Sequence, residues 1–346
     1  MKKKITISDI ALLAGVSKAT VSYYLNGKYE KMSETTKEKI RQVIDKTNYQ
    51  PNAMARSLNA KQSRLVGVLI GDITNSFANQ IVKGINDYIR ERGYQMIIGS
   101  SGYDPADEEN YISSMAAIGV DGFIVQPTVR FETFWNSSGN EQPIVYFDSP
   151  GASEESFWVK TNNKQAVYEM TESLAEKGYE QFVLITASPY VLQTRMERLE
   201  GFEECLKQRE ISYELIVADE KTTPAELRER LSGYLNKEKS TCIFVINNWL
   251  LDKTYLALQE YRELIPEYVG VAGFDSMEWT RLAVPSITTV VQPAYEEGRA
   301  AARILIDVIE TGDTDEPRKV LNCTANYMES TNRQTTGNKR NGYEGE

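Results

Sequence analysis

The sequence predicts an N-terminal all-α head followed by a larger α/β core of two parallel-sheet halves. Three capped helical patterns precede residue 50, and apolar strand patterns alternate with helical patterns after Arg64. The charge changes at the same point: residues 1–64 hold 13 Lys and Arg against 5 Asp and Glu, whereas the rest hold 26 against 44. A basic head on an acidic body indicates that the head meets a polyanion.

The start of the head has the pattern of two helices joined by a tight turn. The segment SDIALLA predicts a first helix over 8–14, capped by Ser8 and ended by Gly15. Ser17 is positioned to cap a second helix over 18–25. This pattern is typical of a helix-turn-helix, in which the N-terminal residues of the second helix approach the base edges in the major groove.

The second helix has an inward and an outward face. Val16, Val21 and Leu25 point inward, and Tyr24 is predicted to pack mainly against the same small core. The outward face is predicted to meet DNA and carries Lys18, Ala19, Ser22, Tyr23 and Asn26.

Hydroxyl and amide side chains near helix ends are the predicted phosphate contacts of the head. The set is Thr6, Ser17, Thr20 and Asn26. Ser33, a further member of the predicted DNA-contacting set, caps a third helix, whose apolar stripe is Ile40, Val43 and Ile44. A purely structural three-helix bundle is the alternative, and the positive charge of the head disfavours it.

The segment NYQPNAMARSLNAKQS, residues 48–63, predicts a short basic helix after Pro51. A helix of about two turns is only marginally stable in water on its own. An apolar residue on such a conditionally folded basic helix can enter the minor groove as a wedge. The predicted contacts are Asn52, Ala55, Arg56 and, as the wedge, Leu58. A plain linker fits the same spacing.

The segments TISDIALLAGVSKATVSYYLNG, NYQPNAMARSL and RLVGVLIGDITNSF follow one another in the order seen in the lactose/galactose-repressor (LacI/GalR) family. The chain resembles that family over nearly its whole length. The resemblance implies a head that binds DNA as a dimer and a hinge helix that folds on the operator and inserts Leu58. It places Lys18, Ala19 and Tyr23 at base-reading positions. Many members carry arginine where Tyr23 stands, and because tyrosine lacks the two-donor fork that reads guanine, the half-site preference should differ.

The core shows eight strand patterns: LVGVLIG, YQMIIGS, GFIVQP, PIVYFD, QFVLITA, YELIVAD, CIFVIN and YVGVAGF. The helical patterns between them predict parallel sheets covered on both faces. Two halves repeat a strand, a polar loop and a helix with Gly84 or Gly201 near its start. Such halves face each other across a cleft at the carboxyl ends of their strands.

Polar side chains and one aromatic ring near the predicted strand ends form a candidate ligand site in this cleft. The set is Asn75, Phe77, Gln126, Asp148, Arg198, Asn247, Asp275 and Gln292. Carboxylates, an arginine and amides around a ring suit a polyhydroxylated ligand, because each sugar hydroxyl can both donate and accept. Structural alternatives exist as well. Asp148 is also suited to capping a turn, Asp275 to pairing with Arg198, and both asparagines to holding loops.

The resemblance also implies a periplasmic-binding-protein type I fold for the core, with chain crossings near 162, 290 and 323. It places effector contacts at Asp148, Arg198, Asn247, Asp275 and Gln292. The expected divisions are as follows: head, 1–50; hinge, 51–63; core, 64–331, with an N-subdomain of about 64–162 and 290–322 and a C-subdomain of about 163–289 and 323–331. The polar tail, 332–346, is predicted to be disordered and lacks a heptad repeat, so we expect a homodimer.

Three departures from the family pattern leave the ligand open. Asn162-Asn163 stands where an Asp-Asn pair is frequent, Ser149 where arginine is common after Asp148, and Asn248-Trp249 where Asp-x is common after Asn247. Stacking on a sugar and packing in the core are both open for Trp135, Trp158 and Trp249.

The charge of the candidate site bears on the class of ligand. Asp148, Asp275 and Arg198 together carry one net negative charge, which favours a neutral sugar. An acid would need another cation, for which Arg195 and Lys160 are candidates. The stretch VSYYLNGKYEKMSE resembles regulators of sugar-acid use, and this resemblance favours a sugar acid.

Several functional classes are excluded or disfavoured. The chain has no histidine, which excludes Ser-His-Asp and Cys-His catalysis. Carboxylate-only and lysine chemistry stay open on this ground, but no acid–base partner or metal cluster supports them, and we predict no enzyme activity, no metal and no cofactor. Cys205, Cys242 and Cys323 form no CxxC motif, which favours free thiols in a cytoplasmic protein. No apolar run approaches a membrane span, and polar residues interrupt the only stretch that resembles a signal peptide.

The sequence thus predicts a DNA-binding transcriptional regulator, of the repressor type, for carbohydrate or sugar-acid utilisation genes. It would bind a pseudo-palindromic operator as a homodimer and respond to an effector in the core cleft. A sugar-binding transport protein, an enzyme acting through Asp148 and Asp275, and a regulator responding to a purine or a phosphoprotein are the alternatives. The helix-turn-helix pattern disfavours the first, and the lack of an acid–base partner disfavours the second.

Overall fold

The computed structural model describes residues 5–49, 62–151, 153–275 and 278–333. The chain divides between Ser63 and Arg64 into two compact units, the head and the core, each of which is described by itself. The predicted hinge contacts Asn52, Ala55, Arg56 and Leu58 lie outside the described residues, as does the predicted tail beyond Arg333. None of the described helices combines the length and apolar composition that a bilayer-spanning helix needs.

The described part of the head contains three α-helices: α1 (Ile7–Ala14), α2 (Lys18–Leu25) and α3 (Glu34–Thr47). Gly15 ends α1 at a φ of 68°, a left-handed conformation that glycine adopts readily. The buried centre of the head comprises Ile10, Ala11, Ala14, Val21 and Ile40. The predicted helix-turn-helix is therefore present.

The cap of α1 differs from the prediction. Thr6, not Ser8, is the N-cap: its hydroxyl accepts from the backbone N–H of Asp9, and the Asp9 carboxylate accepts from the backbone N–H of Thr6 at 2.8 Å. This reciprocal capping box requires an acceptor three residues after the cap, and Asp9 supplies it for Thr6. The predicted caps Ser17 and Ser33 are confirmed, since each hydroxyl accepts a backbone N–H three residues on.

The core alternates strands and helices along the chain. Its strands are β1 (Leu65–Ile70), β2 (Gln95–Ser100), β3 (Gly122–Val125), β4 (Ile144–Phe147), β5 (Phe157–Thr161), β6 (Gln181–Thr186), β7 (Ser212–Val217), β8 (Thr241–Val245), β9 (Val269–Phe274), β10 (Thr288–Val291), β11 (Arg318–Leu321) and β12 (Thr324–Asn326). Its described α-helices are α4 (Ser76–Glu91), α5 (Pro105–Ile118), α6 (Phe131–Ser137), α7 (Asn163–Glu176), α8 (Gln193–Gln208), α9 (Pro224–Leu231), α10 (Asn248–Ala257), α11 (Glu278–Leu282) and α12 (Ala294–Thr311). All eight predicted strands are present, and β5, β10, β11 and β12 were missed.

The strands form two six-stranded sheets of matching order. The first sheet runs β11-β5-β4-β3-β1-β2, and the second runs β12-β10-β9-β8-β6-β7. The pairs are parallel except for β12, which is antiparallel to β10. The chain passes between the sheets after β5, after β10 and after β11. Because all strands but β12 are parallel within their sheets, polar side chains after their carboxyl ends can meet in one cleft.

Gly84 and Gly201 lie in the middle of α4 and α8, not near the helix starts as predicted. Each allows two helices to touch. A Cβ on Gly84 would stand 2.1 Å from the carbonyl oxygen of Tyr295 in α12, and one on Gly201 would stand 2.2 Å from that of Lys164 in α7. The shared feature of the two halves is therefore a close helix crossing over each sheet.

Candidate functional site

The outward face of α2 is accessible, as predicted. Lys18, Ala19 and Asn26 are exposed, Tyr23 is half-buried, and Val21 on the opposite side is fully buried. The Asn26 amide donates to the Ser22 hydroxyl at 3.3 Å, which links two of the predicted contact residues on this face. The face therefore offers a cation, donors and a phenol to a partner.

The neighbouring tyrosines of α2 have different surroundings. The ring of Tyr24 packs against the apolar centre of the head and meets Tyr29 edge-on at 5.7 Å. Burial raises the pKa of Tyr24. Tyr23 instead carries the ammonium of Lys31 over its ring, 4.8 Å from the ring centre. Tyr24 thus stabilises the head, while Tyr23 belongs to its polar surface.

Three residues of the predicted DNA-contacting set are the N-caps of helices. Thr6, Ser17 and Ser33 cap α1, α2 and α3. The Thr20 hydroxyl lies 2.8 Å from that of Ser17, at the start of α2. The first N–H groups of a helix lack partners within it, and its N-terminus attracts anions. These positions therefore suit phosphate contacts better than isolated surface hydroxyls would.

Seven of the eight predicted cleft residues line one cavity in the core: Asn75, Phe77, Gln126, Asp148, Arg198, Asn247 and Asp275. The cavity is narrow, with a volume of ≈ 30 Å³. The eighth residue, Gln292, lines an adjoining, more open cavity of ≈ 640 Å³ together with Phe77 and Asp275. The structure thus brings seven predicted residues together around the narrow cavity and places Gln292 in the wall of the adjoining one.

Asp148 follows β4 in a left-handed conformation, with a φ of 55°. Its Oδ2 accepts from the amide of Gln126 at 2.8 Å, whereas its buried Oδ1 has no hydrogen-bond partner. Burial raises the pKa of Asp148 to about 6, against the opposing effect of the Arg198 guanidinium. Its backbone N–H donates to the carboxyl of Glu297, a fully buried residue of α12, at 2.7 Å.

Arg198 projects from α8 and is held by neutral groups. Its Nε donates to Oδ1 of Asn163 at 2.7 Å, and its Nη1 donates to the carbonyl of Ile246 at 2.9 Å. Its guanidinium carbon lies 3.7 Å from the centre of the Phe274 ring. Within the described residues, no ion pair within 4.0 Å joins Arg198 to Asp275 or to Asp148. The predicted alternative of a structural Asp275–Arg198 pair is therefore wrong for this conformation.

Asp275 is held by residues at the chain crossings between the two sheets. Its Oδ1 accepts from the amide of Gln292 at 2.7 Å, and Gln292 accepts in turn from the hydroxyl of Thr161 at 2.8 Å. The amide of Asn163 donates to the same hydroxyl at 3.1 Å. Because Asn163 also holds Arg198, one hydrogen-bonded chain connects Asp275 to Arg198. Burial raises the pKa of Asp275, and the guanidinium of Arg198 opposes this effect.

The two predicted asparagines stabilise loops while lining the cavity. Asn75 caps α4, and its Oδ1 also accepts from the amide of Asn248 at 2.8 Å, across the cleft. Asn247 accepts at Oδ1 from the backbone N–H of Ala187 at 2.8 Å. The carbonyl oxygens of both amides are thus already engaged in structural contacts.

Sequence reasoning missed Tyr103 and Glu297, and it named Arg195 only as a possible extra cation. Tyr103 and Arg195 line the same cavity, and the guanidinium of Arg195 lies 5.2 Å from the Tyr103 ring centre. The signal for Arg195 is its spacing, since a residue three positions before Arg198 lies on the same helix face. No sequence pattern of this kind related Glu297 to a predicted site residue.

The other aromatic and cationic candidates differ in what their side chains contact. Trp135 and Trp158 pack against the apolar cluster of the first sheet, while Trp249 packs against a cluster of the second sheet and also lines the cavity. Lys160 is paired with Glu197 at 2.5 Å. The three cysteines are free, as predicted. Within the described residues, no group of three or more Cys, Asp or Glu side chains is arranged to hold a metal ion.

Comparisons with known families agree with both units. Residues 6–52 match the family model for bacterial regulatory proteins of the lacI family, and residues 66–314 match a periplasmic binding protein domain. The HTH-type transcriptional regulator KdgR of Bacillus subtilis (strain 168) is 30% identical, over 92% of this chain and 96% of that protein. The probable HTH-type transcriptional regulator EndR of Paenibacillus polymyxa is 32% identical, over 90% and 92%.

Solved structures with the same architecture include a complex of the transcriptional regulator CelR with cellobiose. That structure has a TM-score of 0.67 and 25% identity, covering 94% of this chain and 99% of that one. The lac repressor dimer bound to operator and the anti-inducer ONPF has a TM-score of 0.80 and 20% identity, covering 95% and 99%, a likeness that shows the fold. With its helix-turn-helix head and its two-sheet core, this chain belongs to the LacI family and is a DNA-binding transcriptional regulator.

Proposed function

We propose that the chain is a repressor that binds a pseudo-palindromic operator as a homodimer. Its operator affinity would be controlled by a polyhydroxylated effector, a sugar or a sugar acid, bound in the core cleft. The observation that carries this proposal is the group of buried polar side chains around one cavity, with Asp148, Arg198 and Asp275 at its centre. Such groups are costly to bury without partners, and ligand hydroxyls can supply those partners.

The head would supply affinity and specificity by separate contacts. Lys18, Ala19 and Tyr23 would reach base edges, while the caps Thr6, Ser17 and Ser33 would mark the helix starts that meet phosphates. Residues 51–63 would form the hinge, with Leu58 entering the minor groove. The relatives support this proposal: the lac repressor structure is named as a dimer bound to operator, and the CelR structure as a complex with cellobiose.

Control by the effector would act through closure of the cleft. In this conformation the halves are joined by the Lys160–Glu197 pair and by the Asn248–Asn75 hydrogen bond. A cavity of ≈ 30 Å³ has room for about one water, so a sugar would require the halves to separate. An effector that prefers one separation shifts the protein toward it, and a coupling of about 1–3 kcal/mol would change operator affinity roughly 5–150-fold.

Genome-wide footprinting of the protein on the DNA of its source tests this proposal. We expect a small number of pseudo-palindromic sites beside genes of carbohydrate or sugar-acid utilisation. The variant Lys18→Ala, altered on the outward face of α2, should occupy them weakly, while Lys207→Ala, at an exposed position of the core, serves as the matched control. The absence of specific sites for the unaltered protein would contradict the proposal.

A further inference from the structure

One buried cation of the cleft, Arg195, interacts electrostatically with Tyr103 and Asp148 but forms no close ion pair among the described residues. Arg195 is 7% exposed and lines the narrow cavity. Its Nη1 donates to the carbonyl of Ser188 at 3.3 Å, and its Nε is buried with no hydrogen-bond partner. No ion pair within 4.0 Å of Arg195 occurs in the described part of the chain. A buried guanidinium with an unused donor is a position that a ligand anion would stabilise.

The neighbouring cations are already committed. Lys160 is paired with Glu197, and Arg198 donates to Asn163 and to a backbone carbonyl. The two further charges in the cavity wall are carboxyls, Asp148 and Asp275, which would repel an anion. Burial raises the pKa of both carboxyls, which opposes their ionisation. Arg195 is therefore the cation best placed to bind an anionic group.

The start of α8 adds a second source of positive potential at the same place. This helix of 16 residues begins after Leu192 without a side-chain cap. Leu192, Thr194 and Arg195 all line the cavity, so the first turn of the helix faces it. Uncapped N–H groups and the helix dipole both favour an anion at this end.

We propose that Arg195 and the first turn of α8 form a carboxylate subsite, which makes the effector a sugar acid. This inference rests on the proposed function. The carboxylate would accept hydrogen bonds from Arg195 Nε and from backbone N–H groups of α8. A hydroxyl at the other side of the ligand would donate to Oδ1 of Asp148, the buried carboxylate oxygen without a partner. A site that binds both a carboxylate and a hydroxyl selects a polyhydroxylated acid.

Calorimetric titration of the full-length protein tests the subsite with matched ligand pairs. The probes are galacturonate against galactose and 2-keto-3-deoxygluconate against glucose, with glucose 6-phosphate as the arm for a different anion. We expect at least one acid to bind about tenfold or more tightly than its neutral partner, because a hydrogen bond to a charged group is stronger than one to a neutral group.

Variants then assign the preference to the residue. In Arg195→Met the acid should lose about tenfold or more in affinity, while Arg195→Lys should retain part of it. The matched control is Arg262→Met, which alters an exposed arginine that also lies beside a tyrosine ring. If Arg195→Met does not fold, Arg195→Lys alone decides, because a subsite built on the planar guanidinium predicts weakened but selective binding of the acid.

The outcomes separate the two proposals. Binding of neutral sugars with no preference for acids, binding of the phosphate alone, or an acid preference that survives Arg195→Met would each overturn the subsite while leaving an effector-controlled regulator intact. Failure of every sugar and every acid to bind would contradict the proposed function as well.

Discussion

Lys18 and Asn26 of the head are exposed, whereas Asp148, Arg198 and Asp275 of the core are at most 9% exposed. Exposed polar groups are hydrated, so their replacement should leave stability almost unchanged and alter only binding to DNA. Buried polar groups depend on one another for hydrogen bonds, and replacing one should alter stability as well as ligand binding. The two surfaces therefore differ in how strongly contact with a partner is tied to folding.

The largest effect is expected at Arg198. Arg198→Met leaves Oδ1 of Asn163 and the carbonyl of Ile246 without their donor, and it removes the cation that opposes the raised pKa values of Asp148 and Asp275. We expect the core to lose about 3 kcal/mol in free energy of unfolding. Urea unfolding followed by circular dichroism measures this loss, with Arg130→Met at an exposed position as the control. Equal stability of the two variants would refute the idea that Arg198 holds the cleft together.

A gain in stability is expected at Asp148. Because the folded state holds this proton more tightly, with a pKa of about 6 against 3.8, the stability contributed by the group falls as pH rises from about 4 to about 6. Asp148→Asn should remove that loss and raise the free energy of unfolding by about 1–3 kcal/mol at pH 7.5.

Unfolding free energies measured between pH 4 and pH 8 check this prediction. The exposed carboxylate Glu263, replaced by Gln, is the control. A pH dependence of Asp148→Asn that matches the unaltered protein would show that Asp148 is not the group responsible.

A smaller effect is expected at Tyr24. Tyr24→Ala removes a half-buried ring from the centre of the head and should cost about 1–2 kcal/mol of local stability. Hydrogen–deuterium exchange of amides in α1 and α3 reports this cost as lost protection. Tyr23→Ala, at the polar face of the same helix, should leave their protection in place. Similar losses in both variants would mean that the two tyrosines are not divided between core and surface.

The smallest effect on stability is expected at Tyr23, and it comes with a change in specificity. Tyr23→Arg should keep stability within about 0.5 kcal/mol. It should also shift base preference toward guanine at one half-site position, since a bidentate contact discriminates by about 1–3 kcal/mol. Binding-site selection from random duplexes measures the preference. An unchanged selected sequence would show that residue 23 does not read bases.

Local signals explain how much of the fold could be predicted. Helix caps at Ser17 and Ser33 and the eight apolar strands are encoded within a few residues, and these predictions were correct. The missed strands β5, β10, β11 and β12 are three to five residues long and interleave polar residues. Their assignment depends on pairing with strands distant in sequence, as between β10 and β12, which no local pattern contains.

The candidate site shows the same limit. Residues directly after predicted strands, such as Asp148 and Asp275, were placed in the cleft because parallel strands end at one edge of their sheet. Glu297 and Tyr103 come from a helix and a loop. Their approach to the cleft depends on the close crossing of α4 and α12 and on the fit of Tyr103 against Gly71, which only tertiary packing defines.

The measurement that tests the central claim most directly is the operator affinity of the full-length protein with and without effector. Fluorescence anisotropy with a duplex recovered by footprinting, titrated at fixed salt, gives both affinities. If ligand binding in the cleft is coupled to DNA binding by the head, saturation with the ligand identified by calorimetry should change the operator affinity roughly 5–150-fold. Arg198→Met should reduce that change while still binding the duplex. Equal operator affinity with and without a ligand that occupies the cleft would contradict the account.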